Sequence, residues 1–194
     1  MPPTPNKNKV RFGLSNVHYA LLTDEQTPTW DTPKAMKGAV SCSVDAEGEN
    51  SPFFADNGKY WDTYSNNGYT MTLEMAMFPD DFLVDVLGYH RDSNGAVFEV
   101  ADAQPKPFAL QYQIEGDQTG TRYVAYNTKA SRPSLSPATT EDSTEPSTES
   151  CDITVSPIEI DGRKLNIGHL ELNDTNATAY NGFFTEVYVP VDSE

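Results

Sequence analysis

Between Tyr69 and Met77 apolar and polar side chains alternate without a break, and immediately afterwards the period changes. Tyr69, Met71, Leu73, Met75 and Met77 stand against Thr70, Thr72, Glu74 and Ala76, the period of a strand that buries one face and leaves the other polar. Pro79 suits the first position of a helix, and Asp80 and Asp81 sit where first-turn N–H groups and the helix dipole favour carboxylates. Phe82, Leu83, Val86 and Leu87 then share one helical face, and Gly88 can take the left-handed conformation that ends it. Asn66 to Gly88 therefore predicts a turn, a strand and a short helix in succession. No other stretch predicts a helix.

The remaining runs are short, and fourteen prolines and twelve glycines punctuate them, which favours a mainly β domain with one short α-helix over a bundle. Residues 1–9 read as a flexible arm, 10–190 as a single domain and 191–194 as a tail. Val10 to Leu22 suits an extended segment broken near Gly13. From Met36 the alternation places Met36, Val40, Cys42 and Val44 on one face and Ala39, Ser41, Ser43 and Asp45 on the other. Phe108, Leu110, Tyr112 and Ile114 alternate with Ala109, Gln111, Gln113 and Glu115. A turn at residues 116–120 leads to a hairpin partner at Arg122–Thr128. Residues 134–149 are polar and acidic, a mobile loop by composition. Cys151, Ile153 and Val155 then resume alternation, Ile158–Leu172 suggests a strand pair around Asp161-Gly162, and Asn173–Thr178 reads as a loop. Phe183–Val191 again looks like a strand.

The connection at residues 46–67, AEGENSPFFADNGKYWDTYSNN, is long for a loop and carries Phe53, Phe54, Tyr60, Trp61 and Tyr64 among acidic residues and an Asn-Gly turn signal. Two readings stand: the aromatics cap the domain's own core, or they form an adhesive surface for another subunit or ligand.

Acidic residues outnumber basic ones by 29 to 13, giving a net charge of −16 that argues against binding to nucleic acid or to anionic membranes. The plainer reading is that the excess acid keeps the chain soluble. Cys42 and Cys151 are too few for a disulfide scaffold, and no leader-like or membrane-spanning run is evident, so the expectation is a protein made and used from the cytosol.

No catalytic motif has the required spacing. His18, His90 and His169 are isolated, and both cysteines read as small buried hydrophobes. Asp45, Glu47 and Glu49 could supply alternate calcium ligands. Asp92, Asn94 and Gly95 match a fragment of a calcium loop that lacks its distal glutamate. Neither amounts to a metal site, and no cofactor is implied.

Several stretches taken together resemble one family: KVRFGLSNVHYALLT, FFADNGKYW, NNGYTMTLEMAMFPDDF, KPFALQYQIEGD, ASRPS and AYNGFFTEVYVP. In order and spacing, from Lys9 to about Pro190, they resemble the major tail proteins of long-tailed bacteriophages, most closely those of Gram-positive hosts. The acidic insert at residues 134–149 departs from that pattern. The resemblance implies a β-sandwich flanked by one helix. It further implies hexameric rings stacked into a hollow, unsheathed tube, with an inner β-barrel built from all six subunits and a long loop reaching the neighbouring ring. It also implies a place in the virion tail after assembly in the host cytoplasm, and tape-measure, tail-tip and terminator proteins as partners. DNA would pass without specific binding, and there are no catalytic residues to carry over. On that reading Ser41, Ser43, Asp45, Thr70, Thr72 and Glu74 are candidates for the lumen wall. Phe53, Phe54, Asp56, Tyr60, Trp61 and Tyr64 are candidates for the ring-stacking loop. A carbohydrate-binding or adhesive β-sandwich and a capsid decoration protein are the alternatives, and a carboxylate-pair hydrolase comes after both.

Overall fold

A computed structural model of the chain describes residues 12–116, 120–137 and 146–191. The expected arm at 1–9, the centre of the turn at 116–120, the middle of the acidic insert and the last three residues lie outside these.

Strand β1 (Leu14–Asp24) is long and carries two short partners on one edge, β2 (Thr29–Trp30) and β3 (Lys34–Ala35). Next come β4 (Ala39–Glu47), β5 (Asn50–Ala55), β6 (Gly58–Tyr64) and β7 (Gly68–Met75). Helix α1 (Asp80–Asp85) follows, then β8 (His90–Arg91), β9 (Val97–Phe98), β10 (Phe108–Ile114), β11 (Thr121–Ala130) and β12 (Ser134–Leu135). The chain continues through β13 (Glu149–Val155), β14 (Ile158–Ile160), β15 (Arg163–Leu165), β16 (Ile167–Leu170) and α2 (Ala177–Gly182).

The main sheet runs β2-β1-β10-β11-β13-β7-β4, with β12 on β13, β16 on β11 and β3 on β1. Its pairings are antiparallel. Strand β11 is shared: Arg122–Ala125 pair with β16, whereas Thr128–Ala130 pair with β13. The sheet therefore folds about β11 into two layers, β1-β10-β11 and β13-β7-β4, that face each other as an antiparallel sandwich.

Between them Val17, Tyr19, Phe108, Leu110 and Tyr112 meet Met71, Leu73, Met75, Cys151, Ile153 and Val155. Helix α1 inserts Phe82 into this core, stacked on Phe78 at 5.4 Å and edge-on to Tyr19 at 5.3 Å and Phe108 at 5.6 Å. Asp85 pins the helix, accepting hydrogen bonds from Tyr19 Oη at 2.8 Å and Lys34 Nζ at 2.6 Å. Burial pushes the Asp85 carboxyl up, but those two donors outweigh it and hold it below the usual carboxylate range.

A second core lies behind β1-β10-β11, where Ala20, Ala109, Val124 and Tyr126 are covered by Ile158, Ile160, Phe183 and Val187. Phe183–Val191, expected as a strand, is instead the end of a second helix followed by irregular chain laid over this core. Its apolar spacing reflects which residues touch the layer beneath, with Phe183 and Val187 buried and Val191 exposed. Gln111, expected on a polar face, is buried because this segment covers it, and its amide donates to the carbonyls of Phe183 and Glu186.

Three further expectations change. Residues 46–67 are a hairpin, β5–β6, turned by Asp56 and Asn57 at φ 49° and 63°, the left-handed pair that a tight two-residue turn requires. A bulge between Ala39 and Ser41 shifts β4, so Ala39 and Cys42 pack on the core while Val40 points out, half exposed. The acidic insert is strand at both ends, where Ser134 and Leu135 pair with Ser150 and Glu149.

Candidate assembly surfaces

Register across β4, β7 and β13 sets the polar residues into rows. Ser41 pairs with Glu74 and then Ser150, Ser43 with Thr72 and then Asp152, and Asp45 with Thr70 and then Thr154. All six residues named as the candidate polar wall thus lie on one face of two neighbouring strands. The opposite face of the same strands holds the core, so alternation alone produces this surface. Strand β13 extends it with Ser150, Asp152 and Thr154, which single-strand reading missed. Their alternation with Cys151, Ile153 and Val155 was visible, but their adjacency to β7 depends on a pairing that no local pattern reveals.

The face is stitched by its own side chains. Ser41 Oγ donates to Glu74 Oε2 at 2.8 Å, Thr148 Oγ1 to Glu74 Oε1 at 2.6 Å, Thr70 Oγ1 to Glu47 Oε1 at 2.7 Å and Thr72 Oγ1 to Asp152 Oδ1 at 2.8 Å. The Thr148 and Ser41 hydroxyls hold the Glu74 carboxyl below the usual carboxylate range. Asp45, Glu47, Glu74 and Asp152 share this face with Lys129, which pairs across from Thr154. The surface is therefore anionic and already hydrogen-bonded.

The second surface is the β5–β6 hairpin. Its ladder continues that of β4–β7 through Asn67 N to Glu47 O at 2.8 Å and Ser65 N to Glu49 O at 3.0 Å. Gly48 is needed at this junction, since a Cβ there would sit 2.1 Å from the Ser65 carbonyl oxygen. Phe53 and Trp61 are directly opposed, and Asn50 Nδ2 donates to Tyr64 Oη at 3.2 Å. Phe53, Phe54, Tyr60, Trp61 and Tyr64 are between 58% and 75% exposed, so within this chain they do not cap the core. Asp56 sits at the turn, also exposed.

The remaining candidate residues have local explanations. Asp92 Oδ1 accepts from the backbone N–H of Asn94 and Ala96, both at 2.8 Å, which closes the turn between β8 and β9. His18 bonds through Nδ1 to the Asn16 carbonyl oxygen at 2.8 Å and stacks on Phe184 at 4.7 Å, and His169 lies against Tyr123. Cys42 and Cys151 are free and pair on either side of Leu73, two strand spacings apart and beyond disulfide reach. Burial pushes both thiols up to about 11. Among the described residues no group of three or more His, Cys, Asp or Glu is arranged to hold a metal ion.

Solved structures share this architecture. The chain matches a component of the PVC sheath–tube complex, an extracellular contractile injection system in its extended state, with TM-score 0.50 and 8% identity over 84% of this chain and 94% of that one. The fold is tail-tube-like. A component of the sheath/tube terminator of the same system, also extended, matches with TM-score 0.50 and 9% identity over 84% of this chain and 98% of that one. No protein-family model and no curated protein matches the chain. At these identities the likeness speaks for the tail-tube-like fold, and the roles of the two surfaces rest on their own chemistry.

Proposed function

We propose that the chain is the structural subunit of a bacteriophage-type tail tube: copies close into rings, rings stack, and the open face of β13-β7-β4 lines the conduit. The observation that carries this reading is that face. A sandwich layer with a core on one side normally turns its other side to bulk water or to a partner, and here it presents aligned small hydroxyls and carboxylates. Such a wall is smooth, and its charge repels phosphate, so a passing genome would not adhere.

Ring closure has a ready edge. β4 ends the main sheet path and has β7 as its ladder partner, which leaves its other edge unpaired among the described strands. An exposed edge of this length invites pairing with another chain, and a closed ring satisfies it without open-ended association. The finer reading is a homohexamer whose inner strands join into one barrel, in a long unsheathed tail of a phage of a Gram-positive host. That tail would contain tape-measure, tail-tip and terminator proteins, and it would be assembled in the host cytoplasm. No catalytic step belongs to this role.

Negative-stain microscopy of the purified, concentrated chain tests it. Rings or tubes are expected. A protein that stays monomeric and binds a glycan array through Trp61 and its neighbours would replace this reading with an adhesive β-sandwich, and one that coats empty capsids without self-assembly would replace it with a decoration protein.

A further inference from the structure

The polar face of β13-β7-β4 continues onto a fourth strand. From the end of β11 into β12 the chain runs on along β13, pairing Lys129 with Thr154 and Ala130 with Ile153, then Ser134 with Ser150 and Leu135 with Glu149. Between those pairs the Ser131 N–H donates to the Asp152 carbonyl at 2.7 Å. The outer edge of this run has no strand against it among the described residues. Phe108, opposite Thr128, is the first residue of β10, and Pro105 and Pro107 before it have no N–H to carry the ladder on. The wall is therefore four strands wide, with β4 at one free edge and residues 129–135 at the other. All three steps between them are antiparallel, so the two free edges run in opposite directions and would meet as an antiparallel pair.

Charge is divided unequally between those edges. Asp45 and Glu47 stand on β4, with Glu49 next in the same alternation, and Glu74 and Asp152 occupy the middle strands. Lys129, on the other edge, is the one cation that the register sets on this face among the described residues. Its row runs Lys129, Thr154, Thr70, Asp45, three inter-strand steps or about 14 Å, which puts the β4 carboxylates of its own chain out of reach. The ion pairs among the described residues join Lys34 to Asp85, Lys59 to Asp62, Arg91 to Asp81 and Arg132 to Glu99, and Lys129 takes part in none of them. Asp152, diagonal to it on β13, accepts instead from Thr72 Oγ1 at 2.8 Å. The acids of the insert, Glu141, Asp142 and Glu145, come beyond Leu135 in the chain.

We infer that Lys129 is the charge that sets the register where two copies of this chain meet: its ammonium pairs with the Glu47–Glu49 end of β4 in the second copy. This rests on the tube reading, which requires a seam between copies and leaves its residues open. Closing a sheet into a barrel staggers neighbouring strands. Only even shifts keep the polar side chains on one face. From Asp45 an even shift one way brings Glu47 and then Glu49 opposite Lys129, and the other way brings Ser43 and then Ser41. The first alone gives Lys129 an opposite charge, and cross-strand neighbours of opposite charge attract where like charges repel. Glu47 keeps an oxygen for the contact, since its bond from Thr70 uses Oε1. The pairing repeats at every seam of a ring, so one altered residue acts at each of them.

Two full-length variants and their mixture test it. Lys129→Glu makes both edges acidic, and Glu47→Lys with Glu49→Lys makes both basic. All three positions are exposed, so each variant should fold, which circular dichroism and a thermal melt check. Under conditions where the wild-type chain forms rings or tubes, each variant alone should lose them in negative-stain images. A 1:1 mixture should restore them in rings with an even number of copies, because every acidic edge then finds a basic one on its neighbour. Mixing cannot repair a contact made within one chain. Assembly of either variant alone at the wild-type level, or a mixture of folded variants that stays unassembled, overturns the seam assignment. A wild-type chain that forms no ring or polymer overturns the tube reading instead, and the seam with it.

Discussion

Replacing Gly48 by alanine should unfasten the aromatic hairpin while leaving the sandwich intact. The new Cβ would lie 2.1 Å from the Ser65 carbonyl oxygen, a backbone atom, where carbons essentially never come within 3.0 Å. The two strands must separate there, at the cost of the Asn67-to-Glu47 and Ser65-to-Glu49 backbone bonds. At about 1 kcal/mol net for each bond, the local loss is about 2 kcal/mol. That corresponds to roughly 30-fold faster opening of everything distal to the junction. The cost stays local because the hairpin buries little against the body, and local opening need not report the global stability. Hydrogen exchange over peptides spanning 50–64 should accelerate by that factor, while peptides over β7 and β13 exchange as before, and tube formation should slow. Gly58→Ala is the control, since its Cβ would meet nothing nearer than the Ala55 oxygen at 4.0 Å. Hairpin exchange within about three-fold of wild type in the Gly48→Ala chain would refute the reasoning, because two net hydrogen bonds predict ten times that change.

Three further outcomes are expected. The pair Asp45→Lys and Glu74→Lys should make assembled tubes retain duplex DNA and should slow genome delivery, read by filter binding and by ejection kinetics; unchanged delivery from normal virions would argue against a lumen position. Phe82→Ala, which empties the centre of the first core, should cost about 3–5 kcal/mol and lower Tm by on the order of 10 °C, and a shift under a few degrees would mean that α1 is not a keystone. The folded Asp85 pKa is depressed, so its contribution is present above the unfolded value of about 3.9 and is lost as pH falls through the lower folded value. The Tm deficit of Asp85→Asn should therefore be full at pH 7 and shrink as pH falls below about 3.9, whereas a deficit constant into acid would contradict the Lys34 and Tyr19 contacts.

What the sequence makes legible is what depends on near neighbours along the chain. β7 and α1 could be read because a period of two gives way to a helical period at a proline followed by two aspartates. The six polar positions of β4 and β7 could be read for the same reason, since a strand with one buried face must turn the other outward. The Val40 bulge could not, because an extra residue shifts parity without leaving a local mark. Phe183–Val191 misleads because chain draped over a packed layer places apolar residues wherever the layer offers a hollow, at intervals that mimic alternation. The place of Asp152 beside Thr72 depends on strands brought together from eighty residues apart, for which the sequence carries no short-range trace.

The hydroxyls of the β13-β7-β4 face have a mechanical consequence. A serine or threonine has one proton to donate, and those of Ser41, Thr148, Thr70 and Thr72 are spent on Glu74, Glu47 and Asp152. A polyanion sliding along such a wall finds no idle donor on these four residues to catch a phosphate oxygen. Each attachment would first require a hydroxyl to leave a charged acceptor, one of the stronger hydrogen-bond partners a side chain offers. Drag on the moving strand would then come from the water film between two negative surfaces, so transit speed would follow solvent viscosity and the driving pressure more than the base sequence of the cargo.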